Sequence, residues 1–373
     1  AETQVSEVLD QAVTAFDAWR NRSFAGRADI LRAVAKHMRE NVEELAPIMT
    51  EEMGKPITEA RGEVNKAAWC AEHYAEHAES YLAKDVIASD ATNSYVQYLP
   101  LGTILGILPW NAPLWLAFRY LAPALMAGNT CLLKHDPHVP GSAKAIVDAF
   151  ERAGAPANIV VNLPIKTPQV EAVIRDERVQ AVSFTGSSEG GRKVAAMAAS
   201  EIKPAVLELG GSDPCIVLAD ANLEKAADVV TLSRIINAGQ SCIAAKRILI
   251  EAPVYEQFTE MLKERLSKLR QGDPCSMDTD IGPIAREDLR DNLHNQVLKT
   301  VHGGARLLLG GELPGGAGFH YPVTLLADVK PGMCAFEEET FGPVMVVSKV
   351  DNFEQAMDWA NDTPYGLGSS IWT

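Results

Sequence analysis

Thr103-Ile-Leu-Gly-Ile-Leu-Pro-Trp-Asn111 begins as an apolar run of strand length, stops at a proline and continues into an amide. A short apolar run closed by a turn signal reads as a strand buried on both faces. The rhythm of strand, turn and helix then repeats. Further apolar runs lie at Thr130–Lys134, Ile159–Leu163, Gln180–Phe184 and Ala205–Leu209, with helical stretches near 113–127, 140–153, 167–175 and 188–200 between them. Doubly buried strands separated by helices predict a parallel sheet covered on both sides. Beyond Gly210-Gly211 a second such series starts, with strands near Pro214–Leu218 and Arg247–Glu251 and helices near 222–236 and 254–269. The predicted fold class is therefore α/β, with two doubly wound, Rossmann-like parallel sheets.

Upstream of this region, Gln4 to Tyr81 reads as helical. Asn41-Val-Glu-Glu44 has the form of a capping box, Gly54 and Pro56 stop a helix, and a second long helix is expected from Thr58 to Ala83. Ser94-Tyr-Val-Gln-Tyr-Leu99 alternates with period two, as a half-exposed strand does. Downstream, Gly310–Gly318 reads as a surface loop. Gly366–Thr373 reads as a buried strand with no polar terminator, which predicts further chain beyond it.

Composition narrows the function classes. The 373 residues exceed two domains at about 150 residues each. The 47% apolar and 22% charged content is that of an ordinary globular protein. A formal net charge of −15 with no basic run disfavours a nucleic-acid partner. The apolar window Leu101–Phe118 is broken by Pro109, Asn111 and Pro113 and closed by Arg119, so no membrane span is predicted. Six cysteines without a CxxC pair, and no secretory apolar stretch at the start, predict a cytoplasmic protein with free thiols.

In an open parallel sheet, ligands bind beyond the carboxyl ends of the strands. The residues expected there are Trp110 and Asn111, Lys134, the Thr185-Gly186-Ser187-Ser188-Glu189-Gly190-Gly191 turn, and Glu208. Small residues at a helix start let a phosphate reach free N–H groups, although a tight strand–helix turn reads the same way. Lys134 suits ribose hydroxyls or phosphate, or is simply solvated. Glu208, alone in an apolar strand, is expected to be buried with a raised pKa, as a water-activating base requires; the competing reading is an ion pair with a neighbouring cation.

Cys242 follows Asn237-Ala-Gly-Gln-Ser241, with Lys246 and Arg247 close behind, a setting expected to lower a thiol pKa. Cys131 and Cys215 read as core residues. On residue type alone a structural role suits any of the cysteines better than a nucleophilic one. His73-Tyr-Ala-Glu-His77 matches an inverted zinc-peptidase signature, but it lies on a polar helix face with no third ligand signalled, and no metal is predicted. His135 and His138, flanking Pro137, read as loop residues.

Taken together, Pro109-Trp-Asn111, Lys134, Phe184-Thr-Gly-Ser-Ser-Glu189, Leu207-Glu-Leu-Gly-Gly211, Gly239-Gln-Ser-Cys242 and Glu339-Thr-Phe-Gly-Pro343 resemble the aldehyde dehydrogenase superfamily in order and spacing across essentially the whole chain. Glu52-Met-Gly-Lys-Pro56, Leu132-Leu-Lys-His135, Gly210-Gly-Ser-Asp-Pro214 and Ala244-Ala-Lys-Arg247 resemble its bacterial succinate-semialdehyde dehydrogenase branch. The resemblance implies a dinucleotide-binding domain at 1–81 and 101–210, an oligomerisation arm at 82–100, and a catalytic domain at 211–373 whose C-terminal part is missing. It implies truncation at both ends and a homo-oligomer, dimer or tetramer.

It further implies Cys242 as nucleophile, the Asn111 amide and Cys242 N–H as oxyanion donors, and Glu208 as the base that hydrolyses a thioester. Cofactor contacts are implied for Trp110, Lys134, Gly186, Ser187, Leu209, Glu339 and Phe341. Pro137 stands where NAD-preferring members carry a glutamate, so the cofactor is NADP or NAD, with NADP favoured. Arg119, eight residues after Asn111, is implied to bind the distal carboxylate of succinate semialdehyde, a task suited to a guanidinium fork. Some members carry a second arginine where Ile236 stands, which leaves another small aldehyde open. An inactive fragment or binding protein with the same fold is the reading from a different class.

Overall fold

The structure, a computed structural model, describes residues 2–373. The chain forms two compact units, one comprising residues up to Glu52 together with Ala60–Glu208, the other Met53–Glu59 together with Leu209–Thr373.

Four helices come first: α1 (Glu2–Trp19), α2 (Phe24–Glu40), α3 (Val42–Met53) and α4 (Ile57–Tyr81). The expected capping box is not formed. The Asn41 side-chain amide turns back to donate to His37 O at 2.7 Å, while the Glu44 carboxylate lies 3.6 Å from Arg152. A short antiparallel pair follows, β1 (Asp85–Val86) with β2 (Tyr95–Val96), so the strand expected over residues 94–99 contracts to two exposed residues.

The first unit's sheet comprises β3 (Thr103–Leu108), β4 (Thr130–His135), β5 (Val160–Asn162), β6 (Val179–Thr185) and β7 (Ala205–Glu208). Between them run α5 (Pro113–Met126), α6 (Pro140–Arg152), α7 (Thr167–Arg175) and α8 (Ser188–Ser200). All neighbours are parallel, in the order β5-β4-β3-β6-β7. Winding reverses between β3 and β6, and this is the switch point at which a doubly wound sheet leaves a crevice. Register brings the carboxyl ends together: Leu108 pairs with His135, Ile107 with Phe184 and Thr185 with Glu208.

The second unit contains β8 (Asp213–Val217), α9 (Leu223–Ile235), β9 (Ala245–Glu251), α10 (Tyr255–Ser267), α11 (Glu287–His302), β10 (Arg306–Leu309), β11 (Thr324–Ala327), α12 (Cys334–Glu337), β12 (Val344–Val350), α13 (Phe353–Asn361) and β13 (Ser370–Trp372). Strand order is β10-β11-β12-β9-β8-β13, parallel except for the β10–β11 pair. Successive residues feed opposite cores, as strand geometry demands. Ile248, Ile250, Met345 and Val347 pack with Val230, Phe258 and Leu262, whereas Leu249, Val344 and Val346 pack with Leu293, Val297 and Ala356. β13 pairs with β8, and Ile371 is half exposed. Among the described residues no helix is long and apolar enough to cross a membrane.

Candidate active site

In the first unit, Trp110 and Asn111 are buried directly after β3. The two helices that follow at this edge begin on the chain's own carboxylates. Glu63 Oε1 accepts from Leu114 N (2.9 Å) and Trp115 N (3.1 Å) at the start of α5, and Glu52 accepts from Gly141 N and Ser142 N at the start of α6. Each places a negative charge at the positive end of a helix dipole. Helix α8 instead starts on Ser187, whose hydroxyl accepts from Gly190 N at 3.2 Å. A Cβ at Gly186 or Gly190 would sit 2.7 or 2.9 Å from the tip of the Phe184 ring, so a side chain there would force the ring or the turn to shift. A small-residue helix start beside the switch point has the chemistry of a phosphate cradle and fits a dinucleotide.

Lys134 is buried near the end of β4. Desolvation pulls its ammonium below the usual lysine pKa, opposed by Asp136. The Asp136 carboxylate is turned to His138 N at 2.9 Å, and Pro137 is exposed. His135 is not a loop residue. It closes β4, buried, with Nε2 2.9 Å from Pro113 O and Nδ1 accepting from Asp136 N at 3.1 Å. Those partners define a neutral ring with its proton on Nε2.

Glu208 departs from expectation. β7 is an edge strand with mostly exposed side chains, so the burial invoked for this carboxylate is absent. Glu208 Oε1 lies 3.6 Å from Arg119 Nη2 of α5, with the two side chains 40% and 41% exposed. The ion-pair alternative is therefore present in the structure.

In the second unit the chain reaches Cys242 through Asn237, Ala238 and Gly239, whose φ values of 57°, 52° and 72° are all left-handed. Two of the three are not glycine, and non-glycine residues seldom hold this region without outside support. Fully buried Arg234 supplies that support, donating to Gly239 O (3.3 Å), Val344 O (2.6 Å), Thr340 O (2.9 Å) and Gly342 O (2.6 Å). Glu59 accepts from Asn237 N at 2.7 Å, and Gln240 accepts from Ala285 N at 3.0 Å.

Cys242 is partly exposed. Its thiol lies above the ordinary value because burial outweighs the nearby Lys246 cation, so the lowering expected from the flanking charges is not the net result. Arg247 takes no part in that balance at close range, since it donates to Ser212 O, Trp359 O and Ala360 O. Glu339 accepts from Lys246 Nζ (2.6 Å) and Gly211 N (3.2 Å), and the Lys246 ammonium stands 5.6 Å from the Phe341 ring centre. Leu209 and Gly210 lead into this group, and a Cβ at Gly210 would strike the Glu339 carboxylate.

Burial pushes Cys131 up to about 12 and Cys215 to about 11. The His73 and His77 rings are tilted at 57° with centres 4.6 Å apart, and His73 Nε2 meets the Tyr81 hydroxyl at 3.1 Å. A groove of about 660 Å³ along β8, α13 and β13, lined by Asp213, Phe353 and Met357 among others, contains none of the candidate residues. Sequence reasoning missed Glu52, Glu63 and Arg234. Glu52 and Glu63 stand among other polar and charged residues, and Arg234 beside Ile235 and Ile236, patterns that also mark many surface positions.

The chain belongs to the aldehyde dehydrogenase family, whose profile matches residues 1–373. It is an NAD(P)-dependent oxidoreductase that takes an aldehyde to an acid. It is 45% identical over 373 residues, all of this chain and 82% of the relative, to a probable succinate-semialdehyde dehydrogenase [NADP(+)] of Synechocystis sp.. It is 44% identical to a succinate semialdehyde dehydrogenase [NAD(P)+] of Escherichia coli K12, covering 99% of this chain and 80% of that one. The structure of succinic semialdehyde dehydrogenase from Streptococcus pyogenes with NADP+ superposes with a TM-score of 0.97 at 34% identity, covering 100% of this chain and 82% of that chain.

Proposed function

We propose that this chain oxidises succinate semialdehyde, with water and NADP+ or NAD+, to succinate, NAD(P)H and two protons. The observation that carries the substrate assignment is Arg119, a half-exposed guanidinium within reach of Glu208 at the carboxyl edge of the first sheet. The names borne by the relatives support the same reading. Gly186, Ser187, the start of α8 and Lys134 would hold the dinucleotide in the first unit, with Trp110 beside them. Leu209, Glu339 and Phe341 would hold it in the second. When bound it supplies the hydride acceptor.

The chain's own residues do the rest. The Cys242 thiolate bonds to the aldehyde carbon, and the Asn111 amide and Cys242 N–H stabilise the oxyanion. Once the carbon is oxidised to a thioester, Glu208 takes a proton from water. The water oxygen then bonds to the carbonyl carbon, the C–S bond breaks, and the acid and thiolate separate. Pro137, in place of a carboxylate, removes a repulsion toward a 2′-phosphate and supports NADP.

Ile236 and the fully engaged Arg234 favour a second reading, a different small aldehyde, because neither provides a second cation. Residues 82–100 would serve as an oligomerisation arm in a cytoplasmic dimer or tetramer. Val86, Ile87 and Leu99 are exposed there, and a homo-oligomer would cover them. The test is NAD(P)H formation over a panel of aldehydes. A kcat/KM for succinate semialdehyde no higher than that for butanal would refute the substrate.

A further inference from the structure

Lys246 has no assigned part in this chemistry, yet it is a deeply placed charge bonded to the Cys242 loop. It sits on β9 with its side chain 1% exposed, and a buried ammonium is costly unless its donors are used. All three are used, on Gly211 O (2.7 Å), Cys242 O (2.9 Å) and Glu339 Oε1 (2.6 Å). These acceptors come from three separate stretches of chain: the glycine pair before β8, the loop bearing the thiol, and the segment before β12. The ammonium is the only group that touches all three among the hydrogen bonds of the described residues.

We propose that Lys246 is a positioning residue for the catalytic cysteine, its ammonium tying the Cys242 loop to Gly211 and to the Glu339 carboxylate and thereby governing the reactivity of the thiol. The proposal rests on Cys242 being the nucleophile. The charged groups facing the thiol are Lys246 and Glu339, and those acting on Lys246 itself include Glu339 and Arg234; Asp213 lies in the same field. Lys246 favours the thiolate, and Glu339 opposes it. The two charges therefore act on Cys242 with opposite signs while bonded to each other.

The opposition gives a signature that a merely structural lysine would not produce. The rate of iodoacetamide alkylation at Cys242, followed by peptide mass over a range of pH, reads the thiolate directly. Lys246→Met should slow alkylation roughly three- to tenfold at pH 7.5 and move the profile to higher pH. Glu339→Gln should move it to lower pH. Coincident profiles for the wild type and a folded Lys246→Met variant, or shifts of both variants in one direction, would overturn the proposal. If Lys246→Met does not fold, Glu339→Gln decides: a shift to lower pH supports the linkage and an unmoved profile overturns it. Full dehydrogenase activity after complete alkylation of Cys242 in the wild type would instead remove the nucleophile assignment.

Discussion

Arg119 Nη2 stands 3.6 Å from Glu208 Oε1, so the cation assigned to a substrate's distal carboxylate already neighbours the carboxylate assigned to activate water. A substrate carboxylate arriving at Arg119 competes with Glu208 for it. A half-exposed pair of this kind contributes up to about 1 kcal/mol, or roughly a fivefold effect. Arg119→Met should therefore raise KM for succinate semialdehyde at least about tenfold, through loss of the fork. Its kcat for butanal should hold or rise by up to that fivefold. Steady-state kinetics on both aldehydes check this, and an unchanged KM for succinate semialdehyde defeats it.

The exposed turn at Pro137 should decide the cofactor. The wild type is expected to show a kcat/KM with NADP at least equal to that with NAD. Pro137→Glu should lower the NADP value roughly tenfold relative to NAD by restoring a like charge beside the 2′-phosphate. Comparing the two cofactors at saturating aldehyde checks the ratio. A variant whose ratio does not move would place the 2′-oxygen elsewhere.

Gly186 and Gly190 lie against the Phe184 ring. Gly186→Ala should force that ring or the start of α8 to shift, at a cost of about 1–3 kcal/mol. The expected result is a lower melting temperature together with weaker dinucleotide binding by fluorescence titration. Unchanged binding in a folded variant would show that the turn does not hold the phosphates.

His135 should make stability depend on pH. Burial lowers its pKa below the ordinary 6.5, with Pro113 O, Asp136, Glu63 and Glu52 opposing. In the window between the lowered value and 6.5 the unfolded chain binds more protons, so stability rises with pH and is lost as pH falls through the lowered value. Protonation would also set an Nδ1–H against the Asp136 N–H. His135→Gln should show a shallower loss of stability than the wild type as pH falls below 6.5 in urea unfolding. Parallel curves would count against it.

The strands and helices from residue 103 to 269 were legible because β-branched runs, turn residues and helical stretches agree locally there. The exposure of Glu208 was not legible, since an apolar strand sequence does not tell an edge from a centre. The electrostatics of Cys242 were half legible. Adjacent cations are visible in the sequence, whereas the desolvation that outweighs them is a property of packing. Arg234 and its carbonyl partners at Gly239, Thr340, Gly342 and Val344 lie about a hundred residues apart in part, and no local pattern announces them.

Lys246 and Arg247 are neighbours on β9, yet they serve opposite sides of one sheet. The first fastens the thiol loop, and the second fastens the end of α13 through Trp359 and Ala360. Deleting a single residue just upstream in this strand would exchange the two faces. A forked, five-donor head would then arrive where three carbonyl and carboxylate oxygens are spaced for a compact one, and the helix would lose its anchor in the same stroke. The order of two basic letters thus fixes two distant attachments together, and neither can be corrected without disturbing the other.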